Sequence, residues 1–365
     1  MKKISIIIAI CSLVFTACNK ENNLLEDGDM LFLNHKGASM PILVRGNFSS
    51  DIILLMVHGG AGGSSAANIE DFQGMLEPEY MVAYWDQRHA GTAQGNFDKE
   101  DLTIDLMAED MQMVINLLKH KYGADKKIFC VGHSWGVILG TYYLISQDNQ
   151  LQGAIFSNGS HSSAPEYEGR MNYIKTYAQE MIDLGRTIPE TIKSEGEEFE
   201  TLEEVIEWCE ANTPIENWKQ VKIQYALINA VKEYVDETYV QPNSDASGSV
   251  SINELFFNSP YNMLISTVNG LRTSQLINNQ RQENSIQEFY DFRPEMDKIT
   301  LPVALIWGKY DHIIGPNVAE DYYQVISTPE MVKEITILEN SGHSGMYREN
   351  VKFSQTVINF VERHK

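Results

Sequence analysis

Cysteine is scarce in this chain, and its placement excludes two classes of protein. Four cysteines occur in 365 residues, at positions 11, 18, 130 and 209, with no C-x-x-C pair and no cysteine–histidine cluster. That spacing supports neither a zinc site nor a disulfide framework. Positive charge is short as well. Only 28 Lys and Arg stand against 50 Asp and Glu, a formal charge of −22. An acidic surface argues against a nucleic-acid partner and against adhesion to anionic lipid. No internal repeat is visible. The apolar run at residues 4–15 is too short to span a bilayer stably, and Lys2 and Lys3 precede it. Residues 1–17 therefore read as an export signal, outside the fold.

Thr16-Ala17-Cys18 is similar to the lipobox of bacterial lipoproteins, with Phe15 where that pattern usually has Leu. The resemblance implies cleavage before Cys18 and lipidation of its amino-terminal cysteine, with anchoring in a bacterial membrane, expected to be the outer one. A plain secretory signal is the alternative. Residues 18–29 are polar and acidic and read as a tether. Losing Lys2 and Lys3 with the signal takes the formal charge from −22 to −24, so any membrane attachment would come from acyl chains. Of the remaining cysteines, Cys130 falls in a candidate strand and Cys209 in a candidate helix.

What is present is enough for a sizeable core. Hydrophobic residues make up 43% of the chain and charged residues 21%. That suits one large globular domain, or a domain carrying an insertion. Leu31-Phe32-Leu33 and Ile42-Leu43-Val44, joined through Gly37, predict a hairpin. Residues 52–57 and 80–85 are continuous apolar runs, expected of buried parallel strands. Residues 101–121 have the spacing of an amphipathic helix. Further strands are expected at 153–156, 303–307 and 334–338, and further helices at about 317–327 and 351–363. From 160 to 297 helical patterns dominate and no parallel strand is evident. The whole predicts an α/β fold with a mostly parallel sheet, residues 30–159 and 298–365, interrupted by a helical cap at 160–297. Ser244 to Ser249 reads as a polar loop within that cap.

The chain is organised around residues 127–140, KIFCVGHSWGVILG. A short apolar run leads into Gly132-His133-Ser134-Trp135-Gly136, and helical spacing follows at once. A serine at such a strand-to-helix turn projects its hydroxyl, and a Cβ at Gly132 or Gly136 would collide with adjoining backbone. Serine is a poor nucleophile until a base takes its proton, and the base must be held in one tautomer by an acid. In open α/β sheets the working groups gather at the carboxyl ends of strands. Five loops fall at such ends: 58–63, 86–91, 132–136, 308–312 and 341–344. Ser134, Asp311 and His343 stand there in the order nucleophile, acid, histidine.

The motifs HGGAGG, DQRHAG, GHSWG, GKYDH and SGHSG together resemble the α/β-hydrolase superfamily, and within it the proline iminopeptidase-like branch of serine aminopeptidases. They span residues 52–345. The resemblance implies that Ser134 attacks a carbonyl carbon, that His343 takes and returns the proton, and that Asp311 orients the imidazole. It also implies an oxyanion hole made by the backbone N–H groups of Gly60 and Trp135. Two positions differ from the branch. Ala61 stands where it usually has proline, and His89 where it usually has glycine. A histidine is a poor occupant of a left-handed backbone position, so either the turn at His89 differs, which is the favoured expectation, or His89 reaches the pocket. Asp86 and Arg88 are expected to form a structural ion pair, His133 to pack under the turn, and His58 to make hydrogen bonds behind the oxyanion loop.

Residues 195–210 hold eight glutamates and no basic residue. Phe199, Leu202, Val205, Ile206 and Cys209 are expected on one helical face, with the glutamates outside in solvent. Iminopeptidases bind a substrate's free amine through cap carboxylates, which leaves a second use for that run open. Three readings of function remain at this point. They are an aminopeptidase on short peptides, a carboxylesterase on small esters, and a non-catalytic binding lipoprotein. The hydrolytic readings need water and no cofactor or metal, and the substrate is a small molecule or short peptide.

Overall fold

The computed structural model describes residues 28–60, 62–65, 69–95, 101–188, 190–240, 269 and 290–365. The signal, Cys18, residues 18–27 of the expected tether, Ala61, the loop at 244–249 and much of the second half of the expected cap lie outside those residues. Strand β1 (Gly28–His35) begins two residues inside the stretch read as tether.

The hairpin forms as expected. Strand β1 pairs antiparallel with β2 (Ala38–Gly46) around a turn at Lys36 and Gly37, both with positive φ. Strands β3 (Ile52–Val57) and β4 (Met81–Trp85) are buried at every position. Both faces of each are covered, so an unbroken apolar run is what the position selects. A short strand, β5 (Gln94–Gly95), pairs with β2. Strands β6 (Lys127–His133) and β7 (Gly153–Ser157) continue the sheet. After the cap come β10 (Val303–Gly308) and β11 (Lys333–Leu338). Among the described residues nine strands form one sheet in the order β1-β2-β4-β3-β6-β7-β10-β11, with β5 off this path beside β2. From β4 to β11 every neighbouring pair is parallel.

Helices cover both faces. On one side pack α1 (Ile104–Tyr122), α2 (Trp135–Ser146) and α6 (Pro316–Val325). The other is covered by α7 (Asn350–His364) and the short helix Ile69–Phe72. Helix α1 starts where Thr103 accepts the N–H of Leu106, and carries Lys119, His120 and Lys121 in its last turn. Both features suit the helix dipole.

The inserted segment has a core of its own. Helices α3 (Ser163–Asp183), α4 (Leu202–Ala211) and α5 (Trp218–Tyr239) bury Met171, Ile174, Val205, Leu227, Val231 and Val235 together. The two ends of the insertion run side by side. Ser163 N–H donates to Tyr290 O and Phe292 N–H to His161 O. The expectation of one helical face over the glutamate run is corrected here. Residues 192–199 form a small antiparallel hairpin, β8 (Ile192–Ser194) with β9 (Glu197–Phe199). Helix α4 begins only after Thr201, which closes a capping box with Glu204. Gly196 and Glu195 both have positive φ, and that tight turn ends any helix. The exposed glutamates are partly paired: Glu195 with Lys222, Glu197 with Lys219, Glu198 with Lys193. No described helix is long and apolar enough to cross a membrane.

Candidate active site

Ser134 sits between the end of β6 and the first turn of α2, with φ +53° and ψ −118°. A non-glycine residue seldom holds such a backbone. Close packing keeps it there. A Cβ at Gly136 would lie 2.0 Å from Val57 O, and one at Gly132 2.8 Å from Gly136 O. The Ser134 N–H donates to Ser157 O at 3.0 Å, tying the turn to the next strand.

The three side chains expected to work together do meet. His343 Nε2 lies 3.0 Å from Ser134 Oγ, and His343 Nδ1 lies 2.9 Å from Asp311 Oδ2. The ionised carboxylate accepts, so Nδ1 carries the proton and Nε2 is left to accept from the hydroxyl. Asp311 is 1% exposed. Burial works to raise its pKa, but the His343 charge and hydrogen bond, the Ile314 N–H and the Asn158 amide outweigh that and hold it below the usual range. Asp311 and His343 come from the ends of adjacent parallel strands. A Cβ at Gly308 would lie 2.1 Å from Gly342 O, so glycine lets the two loops touch.

The loop after β3 packs on this turn. A Cβ at Gly59 would stand 3.0 Å from Ser134 Cβ. Gly60 has φ +45°, and its carbonyl accepts from the N–H groups of Gly62 and Gly63. Trp135 opens α2, so its N–H has no partner within the helix. The Trp135 indole N–H donates to Gln87 Oε1 at 3.1 Å. His58 lies behind: its Nε2 accepts the Gln87 N–H, which leaves Nδ1 protonated toward Gly59 O. Burial lowers the His58 pKa to about 4, against a smaller upward pull from that carbonyl, so the ring stays neutral.

Two expectations are corrected. Asp86 and Arg88 do not pair. Asp86 instead accepts from Ser64 Oγ, Ser65 N, and both N and Oγ1 of Thr92. Burial lifts the Asp86 pKa to about 6, although those four donors oppose it. Arg88 forks onto Asp110 of α1, with Nη2 to Oδ1 at 2.8 Å, and both side chains are fully buried. His89 is the second correction. The turn keeps its left-handed backbone, φ +59°, with the buried imidazole Nε2 3.8 Å from Asp101 Oδ2.

Sequence reasoning missed Asn158. It directly follows β7, has φ +51°, and donates its amide to Asp311 Oδ2 at 2.7 Å. The Asn-Gly dipeptide at 158–159 was its available signal. The reading of His133 was incomplete, since its Nε2 also reaches the backbone carbonyl of His343 at 2.9 Å. Cys130 and Cys209 are both buried and free. Among the described residues no three His, Cys, Asp or Glu side chains are placed to hold a metal ion.

Known proteins agree with this fold. The chain is 24% identical over 328 residues to a probable aminopeptidase, YbaC, of Bacillus subtilis, covering 88% of this chain and 93% of that one. It is 25% identical over 312 residues to a proline iminopeptidase of Saccharolobus solfataricus, covering 85% and 84%. The solved structure of a proline iminopeptidase from Mycobacterium smegmatis superposes with a TM-score of 0.61 at 14% identity, over 92% of this chain and 98% of that one. The fold is that of the α/β-hydrolases, and the protein is an enzyme of that serine hydrolase type. The model of the family described as serine aminopeptidase, S33, matches residues 49–239, more than half of the sequence, and the chain accordingly belongs to that family.

Proposed function

We propose that the protein is an aminopeptidase of the proline iminopeptidase kind, acting on short peptides through an acyl-enzyme on Ser134. The observation that carries the reading is the His343 imidazole held between Ser134 Oγ at 3.0 Å and Asp311 Oδ2 at 2.9 Å. The Ser134 oxygen attacks the scissile carbonyl carbon while His343 Nε2 takes its proton. The imidazolium that forms faces the ionised Asp311. Collapse of the tetrahedral adduct expels the amine, which leaves with the proton from Nε2. Water then repeats the sequence on the acyl ester and frees Ser134. The N–H groups of Gly60 and Trp135 hold the oxyanion in both halves. One such donor is typically worth roughly a hundredfold or more in rate. The family match and the two aminopeptidase relatives support the choice of peptide over ester.

A fluorophosphonate probe labels Ser134 in this reading, and Ser134→Ala abolishes both labelling and turnover. Prolyl and alanyl anilides are then compared with short-chain nitrophenyl esters, each with the amine free and blocked. Turnover of anilides that is lost when the amine is blocked is the expected result. Turnover of esters alone, indifferent to the amine, makes the protein a carboxylesterase. The same proposal places the enzyme on a bacterial membrane through lipidated Cys18. Palmitate labelling of the expressed protein that disappears in Cys18→Ser checks that part.

A further inference from the structure

Asp311 accepts four hydrogen bonds, as many as a carboxylate has lone-pair directions. Oδ1 takes the N–H groups of Ile313 at 2.8 Å and Ile314 at 3.0 Å. Oδ2 takes His343 Nδ1–H at 2.9 Å and Asn158 Nδ2–H at 2.7 Å. The first two come from the acid's own loop and the third from the proposed base. The fourth comes from a different strand end.

Asn158 is fully buried, and its orientation is fixed. Ser157 Oγ donates to its amide oxygen at 2.9 Å, which leaves the NH₂ group facing Asp311. The segment around it supports the nucleophile too. Ser157 O accepts the Ser134 N–H, and a Cβ at Gly159 would stand 2.6 Å from Ser134 O. Three consecutive residues thus brace the serine turn with backbone and the acid with a side chain. The backbone at 158 is left-handed. Glycine takes that conformation most easily, and asparagine is among the few other residues that tolerate it. Glycine would leave Oδ2 one donor short.

Resting on the Ser134–His343–Asp311 reading above, we propose that Asn158 is a positioning residue for hydrolysis: its amide pins Asp311 Oδ2 where that oxygen also meets His343 Nδ1, and so aims Nε2 at Ser134. Without the amide the carboxylate is freer to turn. Its charge, no longer shared, also falls more heavily on the imidazole and stabilises the imidazolium. The titratable groups facing the pair are His133 from β6, His312 beside Asp311, and Glu166 and Tyr173 from α3. All four remain in place when Asn158 is changed.

Asn158→Gly keeps the backbone and removes the amide. Asn158→Asp keeps the shape and replaces the donor with a second carboxyl. Rates are measured per active site titrated with fluorophosphonate, alongside the thermal midpoint and the pH profile of kcat/KM. The expected result for Asn158→Gly is a fall in kcat of roughly ten- to hundredfold, with KM little changed. The acid limb moves to higher pH. Asn158→Asp moves it further the same way. A folded variant with a lower midpoint but unchanged kcat and acid limb overturns the proposal, because Asn158 then serves the fold alone. If Asn158→Gly does not fold, Asn158→Asp decides by the same criteria, and failure of both to fold overturns it as well. Turnover that survives Ser134→Ala sinks the underlying reading instead, so the two failures are distinct.

Discussion

His133 and His343 lie ring against ring, 5.1 Å between centroids, and the first donates its Nε2–H to the backbone carbonyl of the second. Burial, and then the charge of His343, push the His133 pKa down to about 4. His133 is therefore neutral at working pH and adds no positive charge beside the imidazolium that the proposed mechanism forms on His343. Its hydrogen bond fixes the loop that carries His343. His133→Leu removes the donor, and kcat is expected to fall up to about tenfold, the worth of one hydrogen bond. His133→Gln presents an amide N–H near the same place and is expected to recover most of the loss. Equal rates for the two variants would rule out the hydrogen bond as the cause.

The meeting of loops at the site depends on glycines that no side chain can replace. Gly136 and Gly308 would each put a Cβ within about 2 Å of a backbone oxygen, that of Val57 and that of Gly342. Backbone yields less readily than a flexible side chain. Gly136→Ala is expected to push β3 and its loop away from the serine turn, and Gly308→Ala to part Asp311 from His343. Each should destabilise the fold by about 1–3 kcal/mol. Loss of turnover should exceed what the unfolded fraction explains. Thermal midpoints read beside active-site titration separate the two effects.

The strands were legible because each is a local apolar run: residues 52–57 and 303–307 needed no partner to be recognised. The meeting of Ser134, Asp311 and His343 could be expected because each stands in a loop that follows a parallel strand. Pairings across the fold were not. Asp86 and Arg88 are two residues apart in sequence, yet Asp86 is filled by Ser64, Ser65 and Thr92 while Arg88 reaches α1. The hairpin at 192–199 was hidden because its glutamates read as the outer face of a helix. What breaks the helix there is a two-residue turn with positive φ at Glu195 and Gly196. Asn158 was missed because its partner lies 153 residues away.

Arg88 and Asp110 form a fully buried, bidentate pair that also takes His35 Nδ1 at 2.7 Å. A buried charge stripped of its partner is expensive to keep. Arg88→Met leaves the Asp110 carboxylate with His35 alone and is expected to destabilise the protein by about 3–5 kcal/mol. The double variant Arg88→Met with Asp110→Leu removes both charges and should lose much less than the two single changes added together. A double-mutant cycle by denaturant unfolding measures the difference. Additive losses would mean that the pair is not coupled as its geometry requires.

Stability should fall as the pH drops below neutrality, and the buried rings of His58 and His133 set where. Each has a folded pKa of about 4 against 6.5 when free. Above pH 6.5 both states leave the rings neutral and nothing is gained or lost. Below it the unfolded chain takes up protons that the folded chain refuses until about pH 4. Each ring therefore withdraws up to about 1.4 kcal/mol per pH unit across that window. Asp86 acts in the opposite sense. Its folded pKa of about 6 exceeds the ordinary 3.8, so between those values the folded state binds the extra proton and regains stability. Asp71, whose folded pKa is likewise raised to about 6 by burial and then by Glu70, adds to Asp86, so the net decline should begin near pH 6.5, stay below one proton and fade as the pH approaches 5. Urea unfolding at half-unit steps from pH 7.5 to 5 reads the slope directly. His133→Gln should remove most of one proton from it below pH 6 and little above pH 7, and a slope unchanged by that substitution would show that His133 titrates normally in the folded protein.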